Sequence, residues 1–81
     1  MNKEQLVEYI NCGREIEFIY NDKKFSITYG KFNGVRMISF CEFYNETTEV
    51  NTVDELFKVT RYGVTLLEMW ESISEDDIWI Y

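Results

Sequence analysis

The amino-acid sequence predicts an α+β fold: a three-stranded antiparallel β-meander with an N-terminal helix and two C-terminal helices packed on one face. Hydrophobic and polar residues alternate along three successive stretches separated by turn residues, which is typical of hairpins. Helical spacing of apolar residues occurs only before and after these stretches, and such segregation is typical of α+β domains. The length of 81 residues predicts a single domain over residues 1–81.

The first element is a predicted helix over residues 3–12. Asn2 and Gln5 have the spacing of a capping box, in which each side chain bonds the backbone of the other residue. Gly13 follows as a residue that readily takes the left-handed conformation at a helix end. The apolar stripe of this helix consists of Leu6, Val7, Tyr9 and Ile10.

Two turns then predict three strands. Asn21-Asp22 and Asn33-Gly34 are residue pairs that tolerate the positive φ values of two-residue hairpin turns. In the third strand, residues 35–44, apolar side chains fall on both sides, which indicates a strand covered on both faces or one whose outer face meets another molecule. The expected pairs across the first turn are Tyr20 with Lys23, Phe18 with Phe25, and Ile16 with Ile27.

The second half of the chain predicts two helices with short connections. Residues 45–51 are polar and are expected to form a loop, and residues 59–62 a short extended link. Residues 74–77 form an acidic break before a strand-like terminal segment. Two further capping-box pairs each open a helix, Thr52 with Glu55 and Thr65 with Glu68. The predicted core comprises Leu6, Ile10, Ile16, Phe18, Phe25, Ile27, Leu56, Leu66, Trp70 and Ile73.

The charge of the chain is distributed unevenly. The formal net charge is −7. Residues 1–40 hold five acidic and six basic side chains, whereas residues 41–81 hold ten acidic side chains against Lys58 and Arg61. This asymmetry is expected either of a solvated surface that keeps the protein soluble or of a surface that meets a basic partner.

The composition argues against catalysis. The chain has no histidine, and therefore neither an imidazole base nor a histidine-based metal site. Cys12 and Cys41 lack the spacing of metal ligands and are expected to be free thiols. The four glycines fit turns and helix caps rather than a phosphate-binding loop. We therefore expect a protein that is not an enzyme, with no catalytic, cofactor-binding or metal-binding residues.

The N-terminal region predicts no targeting segment, because Lys3, Glu4 and Glu8 interrupt its apolar residues. No stretch approaches the roughly 20 apolar residues of a membrane span. The expected location is cytoplasmic, with no membrane partner.

Aromatic residues of the hairpin suggest one alternative function. They alternate along an antiparallel sheet as stacking platforms do in proteins that bind single-stranded nucleic acid. Such platforms also need a basic groove, and the chain offers only a small basic rim. The negative net charge therefore favours core packing and argues against nucleic acid as a partner. The aromatic residues are Phe18, Tyr20, Phe25 and Tyr29, and the rim is Lys23, Lys24, Lys31 and Arg36.

The candidate partner-binding residues lie in the acidic half and the terminal segment. Glu55 and Glu68 have capping roles, so the acids left to explain are those of the loop and the tail. The aromatic tail docks either on its own domain, which is favoured, or on a partner. The candidates are Glu42, Glu46, Glu49, Glu75, Asp76, Asp77, Trp79 and Tyr81.

Two segments carry a resemblance. The run from Gly13 to Phe18, followed by Tyr20-Asn21 and Lys24-Phe25-Ser26, resembles the opening of short proteins found in Gram-positive bacterial and phage-like genomes. The run from Gly63 to Trp70 is similar to their glycine-then-helix segment ending in tryptophan. The resemblance covers most of the chain but rests on structural motifs. It implies an accessory protein of a mobile element or its bacterial host, and no activity or cofactor.

These observations favour a small, acidic, non-catalytic protein-interaction module with an unidentified basic protein partner. In its concrete form, the module inhibits a nucleic-acid-binding protein by imitating the charge of a duplex, about one charge per 1.7 Å of axis. The alternatives are a nucleic-acid-binding module that uses the sheet aromatics, and a structural homodimer formed through the third strand or the terminal segment.

Overall fold

The computed structural model describes residues 1–81 and has an α+β architecture of three helices and seven strands. The helices are α1 (Lys3–Asn11), α2 (Val53–Phe57) and α3 (Leu66–Ser72). The strands are β1 (Ile16–Tyr20), β2 (Lys23–Phe32), β3 (Val35–Glu42), β4 (Thr47–Val50), β5 (Thr60–Arg61), β6 (Val64–Thr65) and β7 (Ile78–Ile80). One turn of 3-10 helix, Glu75–Asp77, leads into β7.

The main sheet has five antiparallel strands in the order β4-β3-β2-β1-β7. The predicted meander of β1, β2 and β3 forms its centre, but the predicted number of three strands is wrong. β4 occupies part of the stretch expected to be a loop, where Thr48 and Val50 pair with Phe40 and Ile38 of β3. Threonine and valine favour strands, and this signal is masked by the polar neighbours of β4.

The first hairpin follows its prediction. Asn21-Asp22 has φ values of 54° and 65°, and Asn33-Gly34 has 51° and 79°, the successive left-handed conformations of a type I′ turn. The predicted register of β1 and β2 is confirmed, with Phe18 opposite Phe25 and Ile16 opposite Ile27. The turn chemistry and the hydrophobic alternation therefore specify the same pairing.

A second, smaller hairpin replaces the predicted extended link. β5 pairs with β6, and the turn between them, Tyr62-Gly63, has φ values of 55° and 76°. This is again a pair of left-handed residues. Because tyrosine is not a typical residue for the first position, the sequence pattern does not reveal this turn.

The helix starts use the predicted capping residues. Asn2 with Gln5 forms a capping box at α1, and Thr65 with Glu68 forms one at α3. At α2 the backbone N–H of Glu55 donates to the hydroxyl of Thr52 at 3.1 Å. That hydroxyl in turn donates to the Glu55 carboxylate, so this cap lacks the reciprocal backbone bond of a full capping box.

The three helices cover one face of the sheet and enclose the core. All ten predicted core residues are buried, and the core also contains Ile38, Phe40, Phe57 and Met69. Phe18 stacks at centroid distances of 5.4 Å on Phe25 and 6.2 Å on Phe40. The indole N–H of Trp70 donates to the Asn2 carbonyl at 2.7 Å, which ties α3 to the start of α1.

The arrangement of strands also bears on possible assemblies. β3 pairs with β2 on one edge and β4 on the other, so its edges are not open to a second copy of the chain. The free edges of the sheet belong to β4 and β7. None of the three helices has the length and apolar character that a membrane crossing requires.

Candidate interaction site on the open face of the sheet

The face of the sheet opposite the helices has no helical cover, and we call it the open face. Its side chains follow from the register, in which Glu17 lies opposite Ser26 and Trp79, and Cys41 lies opposite Ser26 and Thr47. None of these side chains belongs to the buried core. The open face comprises Glu15, Glu17, Ile19, Lys24, Ser26, Thr28, Phe32, Val35, Met37, Ser39, Cys41, Phe43, Thr47, Glu49, Trp79 and Tyr81.

Five of these side chains form a connected group, the open-face cluster: Phe43, Lys24, Trp79, Glu17 and Tyr81. The Lys24 ammonium lies 4.9 Å from the Phe43 ring centre and 5.7 Å from that of Trp79. It also lies 3.7 Å from Oε2 of Glu17. The Tyr81 hydroxyl donates to Oε1 of the same carboxylate at 3.4 Å. Trp79 is 41% exposed and Tyr81 62%, so the cluster presents aromatic surface to solvent.

A groove of about 320 Å³ lies beside the cluster. Its lining residues are Glu15, Ile16, Glu17, Ser26, Thr28, Phe43 and Tyr81. Oε2 of Glu17 accepts no hydrogen bond and is closed to solvent, so it lies beneath the groove surface. The 3.7 Å separation from Lys24 is an ion pair without a hydrogen bond, because it exceeds the usual N–H···O range. Lys24 is therefore the one cationic side chain beside this carboxylate.

The basic side chains of the protein are mostly engaged with groups other than carboxylates. Five of the eight lie 4.7 to 5.7 Å from an aromatic ring centre. Arg14 donates instead to the Tyr81 carbonyl. Glu17 with Lys24 is the single ion pair between side chains, although the chain has 15 acidic residues. Most carboxylates are consequently left without an internal cation. The five basic residues over rings are Lys3, Lys23, Lys24, Arg36 and Arg61.

The predicted partner-binding residues fall into separate places. Glu49, Trp79 and Tyr81 lie on the open face by register. Glu42 and Glu46 line a second groove, of about 410 Å³, at the end of the sheet. The remaining three, Glu75, Asp76 and Asp77, are exposed on the 3-10 turn before β7. The structure thus brings three of the eight predicted residues to one face.

Glu42 has an internal partner. The Tyr62 hydroxyl donates to its two carboxylate oxygens at 2.9 and 2.7 Å. This hydrogen bond raises the pKa of Tyr62, because it stabilises the protonated phenol beside a negative charge. Lys23 lies 4.9 Å above the same ring. Glu42 therefore helps to hold the β5–β6 hairpin against the sheet and is less available to a partner than Glu46.

The terminal segment docks on its own domain, and it leaves two aromatic side chains exposed. Ile78 and Ile80 pair with Phe18 and Ile16 of β1 and pack against the core. The alternate residues Trp79 and Tyr81 point to the open face, where Glu17 and burial together raise the pKa of the Tyr81 phenol, burial contributing most. The backbone thus docks on its own domain while the aromatic residues remain exposed.

Sequence reasoning assigned Glu15, Glu17 and Phe43 to no site, and it placed Lys24 only in the basic rim of the nucleic-acid alternative. The available signal was their position on the polar side of the hairpin alternation. Their convergence depends on β7 pairing with β1, which no local pattern specifies. Conversely, Phe18 and Phe25, named as stacking residues in the nucleic-acid alternative, are 0% exposed and cannot present ring faces to a ligand.

The remaining chemistry-bearing groups do not assemble elsewhere. No group of three or more cysteine, aspartate and glutamate side chains is arranged to hold a metal ion. Cys12 and Cys41 are both free thiols. No protein-family model, curated protein or solved structure matches the chain. The open face is therefore the candidate functional site of the chain.

Proposed function

We propose that this chain is a small, non-catalytic protein-interaction module that docks the open face of its sheet on a basic surface of a partner protein. The observation that carries the proposal is the exposure of Trp79 and Tyr81 beside carboxylates that the chain's own cations leave unpaired. Aromatic residues supply most of the anchors in protein interfaces. Complementary charge around them adds association rate and specificity.

The charges of the open face support a basic occupant. Glu15, Glu17 and Glu49 are its acidic residues, and Lys24 is its one basic residue and is paired with Glu17. A nucleic acid brought to this face would set phosphates against carboxylates, although phosphate contacts normally supply much of the affinity. The face is therefore better suited to lysine and arginine side chains than to a phosphate backbone.

The same charges argue against a second copy of the chain on this face. Two open faces in contact would place two surfaces of the same net negative charge, from Glu15, Glu17 and Glu49 against Lys24, opposite each other. Like charges placed across an interface cost several kcal/mol. A basic protein surface avoids this repulsion and is the occupant to which the proposal commits.

A narrower form of the proposal makes the partner a nucleic-acid-binding protein. Ten of the 15 acidic residues lie in residues 41–81, and a dense set of carboxylates can occupy a channel built for phosphates. An accessory protein of a mobile element that inhibits such a partner fits this form. This narrower form predicts that the chain and duplex DNA compete for the same basic domain of the partner.

The test uses a defined probe, a fluorescein-labelled 12-residue peptide with six arginine or lysine residues, and a control peptide with glutamine in their place. Anisotropy is measured at about 0.05 M and about 0.2 M salt, between which the screening length roughly halves. We expect binding of the basic peptide alone, weakening by about tenfold at the higher salt. Binding that is insensitive to salt would contradict the proposal.

Variants locate the binding on the open face. Trp79→Ala and Glu49→Gln should each weaken binding by about fivefold or more, the scale of a lost anchor or interface charge. The matched controls are Tyr62→Ala, an exposed aromatic on the β5–β6 turn, and Glu71→Gln, an exposed acid on α3. Equal effects of the control variants would refute the assignment to the open face.

Two further measurements address the alternatives. A gel shift with single-stranded DNA that Trp79→Ala abolishes would assign the face to nucleic acid and overturn the proposal. A solution mass of a dimer by light scattering that Trp79→Ala converts to a monomer would assign the face to self-association, with the same consequence.

A further inference from the structure

We propose that the groove beside the open-face cluster receives a single arginine side chain of the partner. This inference rests on the proposed function and names the side chain that the face recognises. The groove volume of about 320 Å³ is close to the lower end of the range of small-ligand pockets, about 300 Å³. It is therefore sized for one side chain rather than for a folded element.

The groove has a polar floor and aromatic walls. Ser26 and Thr28 stand on β2, the central strand, and their small side chains leave the space open. Phe43 borders one side and Tyr81 the other. Aromatic faces attract cations electrostatically and stack well on a planar guanidinium.

The hydrogen-bonding groups of the groove favour arginine over lysine. Glu15 and Glu17 both line it, and the Glu15 side chain is exposed and has no internal cation within ion-pair distance. A guanidinium has five N–H donors in a fixed planar arrangement, so it can bond a carboxylate and a neighbouring hydroxyl together, whereas an ammonium acts as a point charge.

The chain already binds its own cations in this way. Arg36 lies 4.7 Å from the Tyr29 ring centre and donates to the Ile10 carbonyl at 2.8 Å. Arg61 lies 5.3 Å from that of Phe40 and donates to the Thr48 hydroxyl at 2.7 Å. Both sites combine a ring face with oxygen acceptors. The groove offers the same combination with a carboxylate added and no arginine of this chain within it.

Lys24 tunes the affinity of the groove. It shares the Glu17 carboxylate at 3.7 Å and carries the same charge as an incoming arginine. Removing its charge while keeping an apolar stem, as in Lys24→Met, releases Glu17 and removes the repulsion. We therefore expect tighter arginine binding in this variant, a result that a purely structural role for Lys24 does not predict.

The experiment uses three short peptides that differ at one central residue: arginine, lysine or citrulline, the neutral isostere of arginine. Binding is followed by ¹⁵N–¹H NMR of the folded protein. We expect saturable shifts at the amides of Ser26 and Thr28 with the arginine peptide. The lysine peptide should bind about tenfold more weakly, which is the scale of one hydrogen bond to a charged group. The citrulline peptide should cause no shifts, because it lacks the positive charge.

Variants then assign the site. Glu17→Gln should lose the preference for arginine over lysine, whereas Glu71→Gln should keep it. Lys24→Met and Lys58→Met change the net charge equally, so Lys58→Met is the control for bulk charge. Only Lys24→Met should tighten binding of the arginine peptide, by about threefold or more. Equal tightening by both lysine variants would show a bulk charge effect and overturn the inference.

The outcomes separate this inference from the proposed function. If the 12-residue basic peptide binds the open face but arginine and lysine peptides bind equally, or their shifts map to the groove at Glu42 and Tyr62, the arginine inference fails and the proposed function stands. If no basic peptide binds the open face, both fail.

Discussion

The two faces of the sheet use aromatic residues for different purposes. On the covered face, Phe18, Phe25 and Phe40 are 0% exposed and stack on one another. On the open face, the rings of Phe43 and Trp79 lie around the Lys24 ammonium. The high aromatic content of the chain is thus divided between a packed core and a charged surface, and composition alone cannot separate the two uses.

The difference has an energetic meaning. A ring that contacts other rings on all sides contributes its full apolar area to folding. A ring that contacts a charged group and solvent contributes less to folding. Its exposed apolar area remains available for contact with another molecule. The covered face should therefore govern stability, and the open face should govern binding. Substitutions on the two faces test this division.

The largest expected effect separates the faces directly. Phe18→Ala should lower the free energy of unfolding by about 3–5 kcal/mol, because it leaves a cavity among Phe25, Phe40 and Trp70. Trp79→Ala, on the strand that pairs with β1, should cost less, about 1–2 kcal/mol, since the residue is 41% exposed. Urea unfolding followed by far-ultraviolet circular dichroism measures both.

Phe18→Leu provides the comparison if the alanine variant does not fold. It retains most of the volume and should cost less than about 2 kcal/mol. A Trp79→Ala variant that is as unstable as Phe18→Ala would show that the open face is a second core and would remove the basis of the division.

An intermediate effect concerns Tyr29, which lies at the margin of the covered face. Burial, opposed by Arg36 and assisted by Glu15, raises its pKa to about 12 from the ordinary 10.0. The protonated phenol is thus favoured in the folded state. Its contribution to stability is complete below pH 10.0 and is lost as the pH rises toward about 12.

Tyr29→Phe tests this pH dependence. It removes the hydroxyl that donates to the Arg14 carbonyl at 2.7 Å and should cost about 1 kcal/mol at neutral pH. It should also reduce the loss of stability between pH 10.0 and about 12. Urea unfolding across this range, with tyrosinate absorbance, measures both; an unchanged alkaline loss in the variant would contradict the role of burial.

The centre of the fold could be predicted because local signals there agree. In the first hairpin, the Asn21-Asp22 turn and the alternation of large side chains specify the same register. β4 was missed because Glu46 and Glu49 make its segment resemble a loop, and its strand character depends on pairing with β3. The hairpin at Tyr62-Gly63 was missed because tyrosine rarely takes a positive φ.

The candidate site was only partly predictable for a related reason. Trp79 and Tyr81 stand out in sequence as two aromatic residues in a short apolar segment that follows the acidic break. Glu17 and Lys24 look like ordinary solvent-facing residues of a hairpin. They become part of a site only when β7 pairs with β1 and places Trp79 opposite Glu17. That pairing joins segments about 60 residues apart, and no periodicity along the chain encodes it.

The smallest expected effect has the opposite sign and concerns Tyr44, beside the open face. Tyr44 is fully exposed and has a φ of 68°, a conformation that costs most residues about 1–2 kcal/mol and is tolerated by asparagine. Its ring contacts that of Phe43 edge-on, with the ring centres 6.3 Å apart. This contact stabilises the fold by about 0.5 kcal/mol at an exposed site. Tyr44→Asn should therefore stabilise the fold by about 0.5 kcal/mol.

Tyr44→Ala separates the backbone from the ring. Alanine loses the same aromatic contact but keeps the penalty for positive φ, so it should not stabilise the protein. If asparagine stabilises and alanine does not, the fold carries an exposed, strained tyrosine that stability does not require, as expected of a residue kept for binding. If asparagine destabilises, Tyr44 supports the fold. The aromatic residues that govern stability then include one in the β3–β4 turn.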